Sequence, residues 1–131
     1  MKIILGTGQL GFAVMQLLLD KNPDEKIIMV NRSGKLPLSV PANVQVVAAD
    51  VTSETALAAI AKQSTVLFSC TDVAYQHWVE FYPAAAKALA FALTNSSAKL
   101  VFADNLYSYG NVAGAEMHEQ MPHNAKTKKE K

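Results

Sequence analysis

Ile3-Ile4-Leu5-Gly6-Thr7-Gly8-Gln9-Leu10-Gly11 is the stretch that decides how this sequence folds. Three apolar residues run into a glycine, as in a short strand buried on both faces. From Gln9 to Lys21 the apolar residues Leu10, Val14, Leu17 and Leu18 recur at helical spacing. Gly6 to Gly11 is therefore a GxGxxG loop set between a strand and a helix, the context that gives the motif meaning. Gly6 permits a tight turn, Gly8 lets backbone approach a pyrophosphate, and Gly11 lets the helix pack close on the sheet. The N–H groups and positive dipole end of the helix complete a phosphate site. On this reading Gly6, Thr7, Gly8, Gln9, Leu10 and Gly11 contact a nucleotide. An ordinary strand-to-helix turn with fortuitous glycines is the alternative.

Asn22-Pro23-Asp24 stops the helix, and Ile27-Ile28-Met29-Val30 reads as a second buried strand. An NAD site places Asp or Glu about twenty residues beyond the last glycine, for the ribose hydroxyls. Asn31-Arg32-Ser33-Gly34-Lys35 stands there instead. Arg32 can pair with a 2′-phosphate, with Ser33 and Lys35 assisting. NADP(H) is expected over NAD(H), the alternative being a solvated loop arginine. The missing carboxylate also argues against an S-adenosylmethionine methyltransferase, and no GxxxxGK[ST] follows the first strand to make a P-loop.

The alternation continues outward. Residues 32–43, with two prolines, read as a loop, and Val44 to Ala48 as a third strand. Thr52 or Ser53 caps a helix that runs to about Lys62, with Glu54 in its first turn. Val66 to Ser69 gives a fourth strand and Leu100 to Ala103 a fifth. Between them a helical stretch from Tyr75 to Thr94 carries Trp78, Tyr82, Ala85, Ala86, Leu89, Ala90 and Leu93 on one side. Pro83 either kinks it or begins a second helix. Short buried strands alternating with helices predict an α/β, doubly wound parallel sheet of the Rossmann type, in the order 3-2-1-4-5. Residues 1–110 form the dinucleotide-binding domain, and 111–131 an irregular charged segment without apolar period. From Asp104 onward the pattern fails, and the sheet reads as truncated.

Composition sets the remaining bounds. At 131 residues a single domain is expected, and 50% hydrophobic with 18% charged residues is a globular balance. A net charge of +1 offers no strong field to nucleic acid or to a membrane surface. Lys126, Lys128, Lys129 and Lys131 crowd the last six residues, most simply as a solvated end. The lone Cys70 excludes an internal disulfide and CxxC zinc chemistry. His77, His118 and His123 are too scattered for a metal site. With no apolar run of about eighteen residues and no signal-peptide layout, a cytoplasmic location is expected.

Taken together, these residues resemble the N-terminal portion of an atypical, extended-like short-chain dehydrogenase/reductase, of the NAD-dependent epimerase/dehydratase family. The glycine loop, Asn31-Arg32, Ala49-Asp50-Val51-Thr52, Tyr75-Gln76-His77-Trp78 and Phe81-Tyr82-Pro83 carry the likeness. Its most specific part is Leu100-Val101-Phe102-Ala103-Asp104-Asn105-Leu106-Tyr107-Ser108-Tyr109-Gly110, similar to the family's strand-five ending. Pro122 and Thr127-Lys128-Lys129 look like the approach to the next helix. The resemblance implies that the Asp50 carboxylate and the Val51 N–H border the adenine. It also implies that Ser69, Cys70 and Thr71 line the cofactor. From the residues alone, Asp50 is nearly as well read as a turn or capping aspartate, and Cys70 as a small buried residue.

The family commonly uses Ser or Thr after strand five and a Tyr-x-x-x-Lys pair, the tyrosine acting as general acid/base. In this chain the serine position falls on Asn105, and no tyrosine follows Tyr109. The expected function is that of an NADP(H)-binding domain in an epimerase/dehydratase-like oxidoreductase, acting on a sugar nucleotide or small carbonyl or hydroxyl compound. The resemblance implies that the catalytic pair is missing from these residues and that Asn105 and Tyr107, the candidate catalytic residues, would sit nearest the nicotinamide and substrate. A non-catalytic NADP-sensing or interaction module is the alternative, and a shortened product without autonomous function is a third. The open fifth strand predicts self-association as a dimer.

Overall fold

The computed structural model describes residues 1–94 and 96–127, so Lys128, Lys129 and Lys131 lie outside the described residues. Strands β1 (Lys2–Leu5), β2 (Ile27–Asn31), β3 (Val44–Ala48), β4 (Val66–Ser69) and β5 (Lys99–Phe102) each fall within one residue of their predicted places. All pair in parallel, in the order β3-β2-β1-β4-β5. This is a Rossmann-type α/β sheet. The central strand is β1, whose Ile3 faces Ile28 on one side and Leu67 on the other.

Alternation along β1 feeds two cores. Ile3 and Leu5 join Ile28, Val30 and Leu67 under the helices α2 (Glu54–Ala61) and α3 (Trp78–Thr94). Ile4 joins Ile27, Met29 and Val44 on the opposite face, under α1 (Gln9–Lys21). Each fully buried Ile or Leu contributes about 2 kcal/mol by leaving water. No helix links β2 to β3; the 32–43 connection instead lays Leu36 and Val40 against the α1-side core. Asn43 anchors the end of that connection, its Nδ2 donating to the carbonyls of Pro23 (2.9 Å) and Glu25 (2.8 Å).

The faces of two helices depart from the predicted ones. In α1, Leu10 and Leu17 are 49% and 55% exposed, whereas Gly11 and Met15 are buried. Gly11 decides this: a Cβ built there would lie 2.1 Å from the Gly6 carbonyl oxygen. The helix rests on β1 through its one residue without a side chain, and that contact turns Leu10 and Leu17 outward. In α3 the buried seam is Ala85, Ala88, Leu89 and Ala92, while Ala86 and Ala90 are exposed. Alanines occur on several sides of this helix, so its rotation is set by packing on α2, not by its own apolar pattern.

Other local features follow from sequence chemistry. Ser53 is the residue that caps α2, its hydroxyl accepting from Ala56 N at 3.4 Å. Pro83 lies inside a continuous α3, which follows a 3-10 turn at Tyr75–His77. Lys87 reaches Glu54 across the α2–α3 seam at 2.8 Å, an exposed pair that adds little stability. After β5 the described chain is irregular apart from a 3-10 turn at Tyr107–Tyr109. Among the described residues no helix is long and apolar enough to cross a membrane.

The Gly11 contact generates a paired prediction. Gly11→Ala must push α1 away from β1, at a cost on the order of 3 kcal/mol. Gly8→Ala meets nothing within 4 Å and starts from φ −81°, so it changes stability by less than about 1 kcal/mol. Urea unfolding of the two variants measures the contrast, and equal midpoints would refute it.

Candidate functional site

Five loops leave the carboxyl ends of the strands, where ligands bind in open α/β sheets. They line one groove. The loops after β1, β2 and β3 bring Gly6 to Leu10, Asn31 with Arg32, and Asp50 with Val51. Those after β4 and β5 bring Cys70 and Thr71, then Asn105 and Tyr107. Three selected residues are elsewhere. Gly11 is buried beneath the loop, Ser33 stands in the turn after β2, and Ser69 is buried at the end of β4.

The glycine loop has the form an anion cradle needs. Gly6 takes φ +101°, and a Cβ on it would meet the Cys70 carbonyl oxygen at 2.7 Å. Its N–H donates to Val30 O at 2.9 Å, and Cys70 N–H donates to Leu5 O at 2.8 Å, so the ends of β2, β1 and β4 are tied together. Gly8 opens α1, with no side-chain cap and no acid in the first turn. The first N–H groups of α1 and its positive dipole end are thus available to an anion.

Asn31 organises the next loop. Its Nδ2 donates to Thr7 Oγ1 (3.1 Å) and Lys35 O (2.9 Å). Its Oδ1 accepts from Gly34 N (2.7 Å) and Ser33 Oγ (3.1 Å). A carboxylate here could not donate to Lys35 O, so the amide is what closes the turn and joins it to the glycine loop. Arg32 leaves that turn to line the groove. Beside it, Asp50 Oδ1 accepts from Thr52 N (2.9 Å) and Thr52 Oγ1 (2.7 Å). The Thr52 backbone bond, then its hydroxyl, hold the Asp50 carboxyl below the usual range, with a contribution from the Arg32 charge. Asp50 thus shapes the turn while bordering the groove.

Past β4, burial pushes the Cys70 thiol up from its ordinary value, which makes it a poor nucleophile. Thr71 Oγ1 is buried with no hydrogen-bond partner among the described residues, and a polar atom so placed favours a ligand that supplies one. Next to it lies a set of side chains of which only Tyr107 was among the candidate site residues. Tyr82 donates its phenol to Asp72 Oδ1 at 2.8 Å, and Trp78 Nε1 donates to Val73 O at 2.9 Å. Trp78 packs against Tyr75, Tyr82 and Tyr107, at centroid separations of 5.1, 5.6 and 6.3 Å. The spacing of Tyr75, Trp78 and Tyr82 signals one helical face. Nothing in the sequence pairs Tyr82 with Asp72, because that bond depends on how the β4 loop folds back over α3.

Burial pushes the Tyr82 phenol up to about 12, helped by the Asp72 hydrogen bond and by the charges of Asp72 and Asp104. The fold favours the protonated phenol, so this contribution to stability is whole below pH 10, the ordinary phenol value. It is lost as pH rises through the window up to about 12. Spectrophotometric titration of the tyrosines will show one phenol ionising late, and Asp72→Asn will move it back toward 10. Four phenols titrating together in the wild type would refute the assignment.

The anion cradle, the turn after β2 and the orphaned Thr71 hydroxyl together suit an extended, phosphate-bearing ligand such as a dinucleotide. They offer nothing comparable for a metal: no cluster of three His, Cys, Asp or Glu side chains exists among the described residues.

Comparisons with known proteins agree with this geometry. No curated protein sequence matches the chain. Among solved structures, a protein of Methylobacillus flagellatus, assigned as an NAD-dependent epimerase/dehydratase, is 25% identical with a TM-score of 0.72. The match covers 98% of this chain and 45% of that one. A Burkholderia cenocepacia protein assigned as an epimerase shares the fold at 16% identity and TM-score 0.78, over 98% of this chain and 45% of its own. An NAD-bound variant of uronate dehydrogenase from Agrobacterium tumefaciens does so at 18% and 0.68, over 82% and 41%. The chain thus spans less than half the length of these structures. A family model described as NAD(P)H-binding matches residues 6–131, from the first glycine of the turn onward. Nearly every residue takes part in that match, and the chain belongs to this NAD(P)H-binding family.

Proposed function

We propose that the chain is the NADP(H)-binding part of an epimerase/dehydratase-like oxidoreductase. The turn after β2 carries the choice of cofactor. Asn31 spends its amide on Thr7, Gly34 and Lys35, which leaves the groove without a carboxylate for the ribose diol at that position. Arg32 is there to pair with a 2′-phosphate. Gly6 to Leu10 would hold the pyrophosphate, with Gly11 letting α1 approach it. Val51 would border the adenine, and Thr71 the middle of the ligand. Ser33 and Ser69 would act through the loops they stabilise.

The dinucleotide supplies hydride transfer when bound. The chain's own residues bind and orient it, and Asn105 and Tyr107 would stand nearest the reacting end. The 25% identity to the Methylobacillus protein supports a substrate with an oxygen-bearing carbon, a sugar nucleotide or a small carbonyl or hydroxyl compound. A second reading is an NADP-sensing or interaction module without turnover. NADPH oxidation with carbonyl substrates separates the two. A homodimer joined through β5 belongs to the same reading, supported by Leu100, Val101 and Phe102 at 38%, 49% and 43% exposed. Sedimentation at tens of micromolar is expected to show it, and a clean monomer would remove it.

Calorimetric titration of NADP⁺ and NAD⁺ against the wild type and Arg32→Ala is the direct test. The wild type should prefer NADP⁺, and Arg32→Ala should weaken NADP⁺ by about ten- to a hundredfold, with little change for NAD⁺. Equal binding of the two nucleotides would remove the NADP assignment. Binding of neither would remove the cofactor reading for this chain.

A further inference from the structure

Charge is distributed unevenly along the groove. Arg32, beyond the end of β2, is the one Lys or Arg among the described residues that line it. At the opposite end, beyond β4 and β5, the lining acids are Asp72, Glu80 and Asp104, while the fourth, Asp50, stands beside Arg32. The Tyr82 phenol lies within reach of the charges of both Asp72 and Asp104. Asp72 is also fixed there by the 2.8 Å bond from Tyr82. The faces of Trp78 and Tyr107 lie alongside, with ring centroids 6.3 Å apart. One end of the groove is built for an anion, and the other is acidic and aromatic.

We propose that the groove distinguishes the two redox states of its dinucleotide and holds NADP⁺ more tightly than NADPH. The inference rests on the cofactor reading above and extends it. With the 2′-phosphate on Arg32 and the pyrophosphate on the glycine loop, an extended dinucleotide carries its nicotinamide toward the ends of β4 and β5. The oxidised ring bears a positive charge and the reduced ring none, while the rest of the molecule is unchanged. Reduction also costs the ring its aromaticity, but only the loss of charge is read by carboxylates, so the part of the difference that carboxylate removal abolishes reports the potential at the ring. Carboxylates and aromatic faces both attract a cation. Across a partly screened surface each carboxylate is worth a few-fold in affinity, so the three together give about a tenfold preference. By linkage a tenfold preference lowers the midpoint of the bound couple by about 30 mV. The groove then tends to keep its cofactor oxidised.

Dissociation constants for NADP⁺ and NADPH, measured by calorimetry on the full chain, test this directly. They are needed for the wild type, Glu80→Gln, Asp104→Asn and the double variant Asp72→Asn/Asp104→Asn. NADP⁺ should bind about tenfold more tightly to the wild type. The preference should fall stepwise as carboxylates are removed, through loss of NADP⁺ affinity with NADPH nearly unchanged. Damage to the fold would weaken both nucleotides together, and Glu80→Gln and Asp104→Asn leave the Tyr82–Asp72 bond in place. Equal affinities in the wild type, tighter NADPH, or a preference indifferent to all three variants would overturn the proposal while the cofactor reading stands. Failure of both nucleotides to bind the wild type would overturn that reading, and this inference with it.

Discussion

The carbonyl of Gly6 lies against Gly11, with no room for a side chain between them, and the rest of the molecule is arranged around that approach. It seats α1 on β1 and fixes its rotation, which selects Met15 and not Leu17 for the core. It also points the uncapped end of α1 at the carboxyl edge of the sheet. Gly6 in turn presses on Cys70, so the conformation of one glycine loop governs the spacing between β1 and β4. The crevice opens at this spacing, because the strand order reverses there. A packing constraint of a few atoms thereby becomes the geometry of the groove's central loop.

Much of this was legible in the sequence, for a physical reason. Strands buried on both faces must be apolar throughout, so β1 and β2 appear as unbroken runs, and their boundaries and order follow from the alternation with helices. The glycine loop was legible because its residues answer to backbone geometry that few other residues tolerate. Helix rotation was less so. Leu10 and Leu17 carry the hydrophobic signal in α1, yet a residue with no side chain determines its face, and hydrophobicity gives glycine no weight. The alanines of α3 likewise suit several faces almost equally, leaving α2 to choose among them.

The chemistry of the groove divides in the same way. Arg32, at the end of β2, could be placed on the groove by counting from the glycine loop, whereas Thr71 was reached through the family resemblance. Asn31 was found too, although its amide turns out to be spent on the loops around it. Asp72 and Tyr82 could not be found so. Ten positions apart in different elements, they meet only because the chain after β4 turns back over the start of α3. Side chains joined by such a return leave no periodic trace.

The connection from β2 to β3 has a different kind of consequence. Where a helix would cover the sheet, Leu36 and Val40 do so from an irregular loop, and β3, an edge strand, pairs with β2 alone. Few buried contacts resist a local excursion of this corner, so its amides should exchange with solvent at a lower opening free energy than those of β1. The turn carrying Arg32 is part of that corner. A ligand phosphate seated on Arg32 would couple to this local equilibrium, ordering this corner of the sheet, and part of its binding energy would be expressed as slower hydrogen exchange along β3.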